Sequence, residues 1–136
     1  MQTHRLRYGV IALLLLCVEI VIATKLSHLD FVRGSLGDIL VVVLLYAFAL
    51  SIRDFDRRRL AAGTFLFACF IELCQYFRLA HALRLHPNGV LSTVLGSTAA
   101  WEDVVCYLVG TVAAFFGDLA LFGRARAEYA VLRRRR

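Results

Sequence analysis

Four long apolar blocks decide what this chain can fold into. The blocks cover residues 8–24, 36–52, 60–77 and 101–122. Each holds roughly 17 to 22 residues, about the number that crosses a bilayer core at a rise of 1.5 Å per residue. Hydrophobic residues make up 60% of the 136 residues, which is more apolar surface than a soluble core of this size buries. We therefore predict an all-α integral membrane protein, one domain over 1–136 folded as a four-transmembrane-helix bundle.

The chain is basic, with a formal net charge of +6. Its arginines lie at the ends of the apolar blocks, without the interleaved aromatic residues of a nucleic-acid stacking surface. Their predicted partners are membrane lipids with anionic headgroups, and no nucleic-acid partner is expected. Four cysteines fall inside apolar blocks without C-x-x-C spacing and are predicted to act as small hydrophobic residues: Cys17, Cys69, Cys74 and Cys106.

The distribution of Lys and Arg orients the predicted helices. Twelve of these residues lie in the N-terminal segment, the second connection and the C-terminal tail: Arg5, Arg7, Arg53, Arg57, Arg58, Arg59, Arg124, Arg126 and Arg133 to Arg136. The first and third connections hold four: Lys25, Arg33, Arg78 and Arg84. Because short cytoplasmic segments are enriched in Lys and Arg, we predict a multi-pass membrane protein with both termini in the cytoplasm.

The first apolar block also has the form of a secretory signal peptide, with Val21 and Ala23 at a cleavage position. However, Glu19 interrupts the end of such an apolar region, and Leu16 is too large to precede a lipidated Cys17. We therefore predict that this block is retained as the first transmembrane helix.

A polar stripe interrupts the third block. Glu72, Gln75 and Arg78 recur every third residue, and a turn of about 100° per residue places Glu72 and Gln75 on one face of a helix, with Arg78 a further turn along it. Under the predicted orientation, four other acids lie at the outer ends of their helices: Glu19, Asp38, Glu102 and Asp103. The sequence therefore predicts a cluster of acids on the outer side of the bundle.

Such a cluster needs compensation within the membrane. A carboxylate at the centre of a spanning helix costs about 2.5 to 3.5 kcal/mol, so it usually faces the protein interior and has a partner. Protonation, pairing with arginine or a bound cation would each relieve the repulsion. We predict an outward-facing pocket whose ligand-binding residues are Glu72, Gln75, Asp103, Trp101, Glu19, Asp38, Arg33 and Arg78. No cofactor is predicted, and the sequence identifies neither a catalytic residue nor a metal site.

A purely structural interpretation fits the same residues. The acids and Gln75, with Tyr46, Tyr76, Tyr107 and Trp101, would form a hydrogen-bonded plug that fixes helix packing. Trp101, at the start of the fourth block, is also typical of an anchor at the membrane interface.

Three further residues of the fourth block are predicted to be structural. Asp118 lies one turn from the inner end and is expected to pair with Arg124 or Arg126. Gly110 and Gly117 are one heptad apart and predict a close contact with a neighbouring helix.

The third connection, residues 78–100, is a long outer loop. It contains His81, His86, the turn signal Pro87-Asn88-Gly89 and an apolar patch over 90–95. The patch is too short to span a membrane, so it either packs in the interface or folds back as a lid over the acids. We expect interfacial packing and solvated histidines.

Two family resemblances follow from these motifs. The sequence is similar to VanZ-like membrane proteins at Glu72, Gln75, Arg78 or Arg84, Asp103 and Gly110, with Tyr107 where that family has Asn. This resemblance implies a link to glycopeptide-antibiotic resistance. The stretches 31–38 and 96–103 resemble a DUF2809-like family of small bacterial integral membrane proteins, over about 8–117. That resemblance implies a multi-pass protein of the bacterial inner membrane and carries no assigned activity.

The leading hypothesis is that the outer pocket binds a cell-envelope component, such as a lipid-linked headgroup, through Glu72, Gln75 and Asp103. Carboxylates repel phosphate, so a phosphorylated ligand would need Arg33 and Arg78, or a divalent ion, as a bridge.

Two alternatives from other classes stay open. One is a membrane enzyme at the outer leaflet with Glu72 or Asp103 as general base. The other is a small cation- or proton-coupled transporter, because four-helix multidrug exporters also carry a Glu in their first helix, as Glu19 is here.

Overall fold

A computed structural model describes residues 2–25, 32–77 and 101–134, with the backbone alone at 2–3, 32–33 and 124–134. The elements in chain order are α1 (Gln2–Lys25), a π-helical turn (Val32–Leu36), α2 (Gly37–Ile52), α3 (Arg57–Tyr76) and α4 (Trp101–Arg134). These residues contain no strand, which confirms the predicted all-α class. The predictions for Arg78, Arg84, the two loop histidines and the 90–95 patch lie outside the described residues.

The helices extend beyond the apolar blocks that predicted them. α1 begins at Gln2 rather than at residue 8, and α4 continues to Arg134 rather than ending at 122. Arg, Ala, Leu and Glu are good helix formers, and intrahelical hydrogen bonds do not depend on an apolar surrounding. The apolar block therefore marks the membrane-spanning part of each helix and not its ends.

Three segments of the described residues are long and apolar enough to cross a membrane: His4–Lys25, Gly34–Ile52 and Trp101–Gly123. They belong to α1, α2 and α4, so the chain is a multi-pass membrane protein. α3 falls short because it opens with three arginines and carries Glu72 and Gln75 in its second half.

The helices form a bundle centred on α2. α1 lies along α2, whereas α4 lies along both α2 and α3. Successive helices run antiparallel, so the bundle has two chemically distinct ends. We call the one that holds Glu19, Asp38, Glu72 and Asp103 the acidic end. The opposite one holds Arg5 and the α2–α3 connection with its arginines, and we call it the basic end.

Polar side chains complete the helix termini at the basic end. The Arg5 guanidinium donates to the carbonyl oxygens of Ser51, at 3.1 Å, and of Ile52, which belong to the last turn of α2. A cation there satisfies unpaired carbonyls and opposes the helix dipole. The Asp56 carboxylate accepts from the backbone N–H of Arg59 at 3.0 Å and caps the start of α3.

The two glycines predicted to mark a close helix contact behave differently. A Cβ at Gly110 would lie 2.5 Å from the carbonyl oxygen of Ile39, so α4 touches the α2 backbone there. A Cβ at Gly117 would meet nothing within 4 Å. The prediction is confirmed for Gly110 and wrong for Gly117, because the approach between α2 and α4 is closest near the acidic end.

Candidate functional site

Three helices bring acids together at the acidic end. Asp38 lies in the first turn of α2, Glu72 in the last turns of α3 and Asp103 in the first turn of α4. The close contact of Gly110 with Ile39 draws α2 and α4 together next to Asp38. Three residues far apart in sequence therefore converge on one level of the bundle.

Side-chain contacts connect these acids. The carboxyl groups of Asp38 and Asp103 lie close enough to interact directly. The Tyr107 hydroxyl donates to Oε2 of Glu72 at 3.2 Å. Glu72 is only 6% exposed, so its side chain faces the interior of the bundle, whereas Asp38 and Asp103 are half-buried.

Glu19 of α1 lies within electrostatic range of Asp38 and extends the cluster to a fourth helix. Its Oε1 atom is buried and has no hydrogen-bond partner among the described residues. Gln75 is half-buried on the same helix as Glu72.

Other predicted site residues are not brought into the cluster. Trp101 is 86% exposed at the start of α4, which suits an interfacial anchor. Tyr76 is also exposed, with its ring against Phe77. Arg33 lies in the π-helical turn, but its side chain is outside what the structure describes, as is the whole of Arg78.

A second buried cluster lies at the basic end. Nε of Arg57 lies 2.7 Å from Oδ2 of Asp118, and both side chains are almost fully buried. The predicted partners of Asp118 were Arg124 and Arg126, whose side chains lie outside what the structure describes; among the described residues its partner is Arg57 of α3. Tyr46, predicted in the outer plug, instead directs its hydroxyl to Asp118 at 3.4 Å. Asp118 and Tyr46 both face α1 and α3 across the bundle. The spacing of residues within one helix does not reveal contacts of this kind.

Tyr8 completes this basic-end cluster. Its hydroxyl donates to Oδ1 of Asp118 and accepts from Nη2 of Arg57 at 3.2 Å. The guanidinium carbon also lies 5.3 Å from the centre of the Tyr8 ring, within cation–π range. Although Nε of Arg57 is close to Asp118, the contact lacks hydrogen-bond geometry and is an ion pair by distance. All four helices thus meet around one balanced pair of charges.

Sequence reasoning missed Arg57 and Tyr8 as members of a cluster. Arg57 is the first of three consecutive arginines, and the pattern of a positively charged connection hides its burial. One signal was available, since an acid inside an apolar block such as Asp118 requires a partner.

Within the described helices, neither the cysteines nor the residues that commonly bind metals form a further site. All four cysteines are free thiols, and Cys74 is buried. Among the described residues, no three His, Cys, Asp or Glu side chains are arranged to hold a metal ion.

Comparison with known proteins places the chain in a family. The family profile described as "Protein of unknown function (DUF2809)" matches residues 27–111. That range contains Asp38, Glu72 and Asp103, but neither Tyr8 nor Asp118. Neither a curated protein nor a solved structure gives a significant match, and the VanZ-like resemblance stays a prediction. Because the profile covers more than half of the chain, this protein belongs to the DUF2809 family of unknown function.

Proposed function

We propose that this membrane protein binds the amine-bearing headgroup of an envelope lipid or lipid-linked component at its acidic end. The observation that carries the proposal is the convergence of Asp38, Glu72 and Asp103 from three helices inside an apolar bundle. Clustered carboxyl groups favour a positive charge beside them, because it lowers the repulsion between ionised forms. The buried Oε1 of Glu19 offers one further acceptor on the fourth side.

The ligand chemistry follows from the charges at this end. A primary ammonium group donates three hydrogen bonds, as a Lys side chain does, and it matches acceptors presented from several helices. If the ligand also carries phosphate, Arg33 and Arg78 are the proposed contacts, since both lie next to the acidic end in sequence. Gln75 and Trp101 are proposed to contact the uncharged part of the headgroup.

The proposal includes a fourth span formed by α3. Its 20 residues are long enough to cross the bilayer core. Leu66, Phe67, Phe70 and Leu73 form an exposed apolar face, while Glu72 is turned inward. Arg57, whose charge lowers the hydropathy of α3, is neutralised by Asp118. These features support a helix that faces lipid on one side and the bundle on the other.

The orientation of the four spans follows from their flanking charges. The basic end holds most of the arginines that flank the spans, and such residues favour the cytoplasmic side. Both termini are then cytoplasmic, in the inner membrane of a bacterium, and the acidic end faces outward. The proposed ligand would therefore be taken from the outer leaflet or the envelope beyond it.

Native mass spectrometry in mild detergent tests the binding proposal with phosphatidylethanolamine as the amine-bearing probe and phosphatidylglycerol as the comparison. Wild type should retain phosphatidylethanolamine, and Asp38→Asn/Asp103→Asn and Glu72→Gln should lose it. Asp54→Asn removes an exposed acid in the α2–α3 connection and is the matched control. Equal retention in all variants would refute binding at the acidic end.

A proton- or cation-coupled transporter is the second candidate. The carboxyl groups of Asp38 and Asp103 lie close together inside the bundle, within electrostatic range of Glu19, and closely spaced acids of this kind can exchange protons or bind a cation. Proteoliposomes that contain a pH-sensitive dye should then report proton movement when a cationic substrate is added. A response that is unchanged in Glu19→Gln would exclude Glu19 from the coupling. No specific observation among the described residues favours the enzyme alternative.

A further inference from the structure

An apolar groove of about 320 Å³ runs between α2 and α3 at the basic end. Its walls are two matching stripes, contributed by Leu45, Phe48 and Ile52 of α2 and by Leu60, Gly63 and Phe67 of α3. Each stripe covers eight residues, so its ends lie about 10 Å apart at a rise of 1.5 Å per residue. The groove therefore runs along the helices rather than across them, which is the direction of a lipid chain.

The groove offers no polar group to a ligand. Its exposed lining is entirely apolar. Thr64 is the one polar residue among those that line it, and its hydroxyl is bonded at 3.0 Å to the carbonyl oxygens of Leu60 and Ala61 within α3. Gly63 leaves open space, since a Cβ there would meet nothing within 4 Å. An occupant of this groove is therefore a hydrocarbon chain.

The charge beside the groove selects the headgroup of that occupant. Ile52 of the α2 stripe is followed by Arg53, and Arg58 and Arg59 precede the α3 stripe; all three arginine side chains are exposed. Of the acids between them, Asp56 already caps α3. Juxtamembrane arginines attract anionic lipids. The three arginines therefore lie next in sequence to the basic-end limits of the two apolar stripes.

We propose that this groove holds an acyl chain of an anionic phospholipid whose headgroup contacts Arg58 and Arg59. A second copy of the chain fits the groove less well. Copies inserted in the same direction place basic end beside basic end, where like charges repel. The site is separate from the acidic end and requires the opposite headgroup charge. It rests on the proposed span of α3 but does not depend on ligand binding at the acidic end.

Filling the groove tests the acyl-chain contact. Gly63→Leu inserts a side chain into the open space, and Gly117→Leu is the matched control because a Cβ at Gly117 also meets nothing within 4 Å. Native mass spectrometry of delipidated protein titrated with phosphatidylglycerol should show weaker binding for Gly63→Leu alone, with unchanged thermal unfolding in both. Equal binding by Gly63→Leu and wild type would overturn the proposal.

Removing the charges tests the headgroup contact. Each arginine near an anionic surface strengthens binding about fivefold, so Arg58→Gln/Arg59→Gln should weaken phosphatidylglycerol binding about 30-fold. Binding of phosphatidylcholine, which has no net charge, should be weak in wild type and unaffected by this change. Equal affinity for the two lipids, or a dimer in place of a lipid adduct, would also overturn the proposal.

Discussion

Asp118 at the basic end faces a guanidinium and two phenol groups, whereas Asp38 at the acidic end faces another carboxyl group. Both acids lie inside the bundle, and both are reached from several helices. The difference lies in the chemistry of the described side chains: the basic-end cluster pairs an acid with a guanidinium, whereas the acidic-end cluster brings several carboxyl groups together. We assign the paired cluster to structure, and the cluster of carboxyl groups is the one at which we propose that a ligand binds.

The largest expected effect comes from unbalancing the basic-end cluster. Asp118→Asn leaves Arg57 buried without its counter-charge, and removal of one partner from a buried pair costs about 3 to 5 kcal/mol. Heat- or detergent-induced unfolding of the purified protein measures the loss. Arg57→Met/Asp118→Leu removes both charges and should recover most of the stability. A single variant as stable as wild type would show that the pair is not structural.

The second-largest loss of stability is expected at the contact between Gly110 and Ile39, beside the acidic-end cluster. A methyl group at Gly110 collides with the backbone of Ile39, so Gly110→Ala forces α2 and α4 apart and should cost about 1 to 3 kcal/mol. It should also weaken phosphatidylethanolamine binding, because Asp38 adjoins Ile39. Gly117→Ala meets open space and should leave both measurements unchanged. Similar losses in the two variants would contradict the assigned crossing point.

Substitution of one tyrosine in each cluster compares how much their hydrogen bonds contribute to stability. Tyr107→Phe removes one bond to Glu72 and should cost about 0.6 kcal/mol, the average for such bonds between membrane helices. Tyr8→Phe removes a donor to Asp118 and an acceptor for Arg57, so its cost should approach the upper value of about 1.7 kcal/mol. Unfolding experiments on the two variants in parallel measure which loses more stability. A larger loss for Tyr107→Phe than for Tyr8→Phe would argue against the hydrogen bonds described for the two clusters.

The smallest effect on stability is expected for Asp38→Asn, although it replaces an Asp by an Asn just as Asp118→Asn does. Asp38→Asn removes one of several acids that repel one another and places an amide donor beside Asp103, so the free energy of unfolding should stay the same or rise. Phosphatidylethanolamine binding should fall. Substantial destabilisation by Asp38→Asn would mean that the acidic-end cluster is also a structural plug.

Much of the fold followed from patterns in the chain. Blocks of apolar residues located the membrane-spanning parts of the helices, and spacing of three placed Glu72 and Gln75 on one side of α3. The prediction that Asp38, Glu72 and Asp103 meet rested only on the direction of the helices. In neighbouring antiparallel helices, the end of one lies beside the start of the next. The predicted bounds of α1 and α4 were too short because hydropathy reports lipid contact and not helix propensity.

By itself, the sequence determined that this is an all-α membrane protein and that one end of its helices is acidic, since both properties depend on local composition. Only the tertiary structure decided that Asp118 pairs with Arg57, that Tyr46 belongs to the basic-end cluster and that Gly110, but not Gly117, lies at a helix crossing. Those outcomes depend on the rotation of each helix about its axis and on which helices are neighbours. Contacts between residues as distant as Tyr8 and Asp118 fix both, and no periodicity within one segment encodes them.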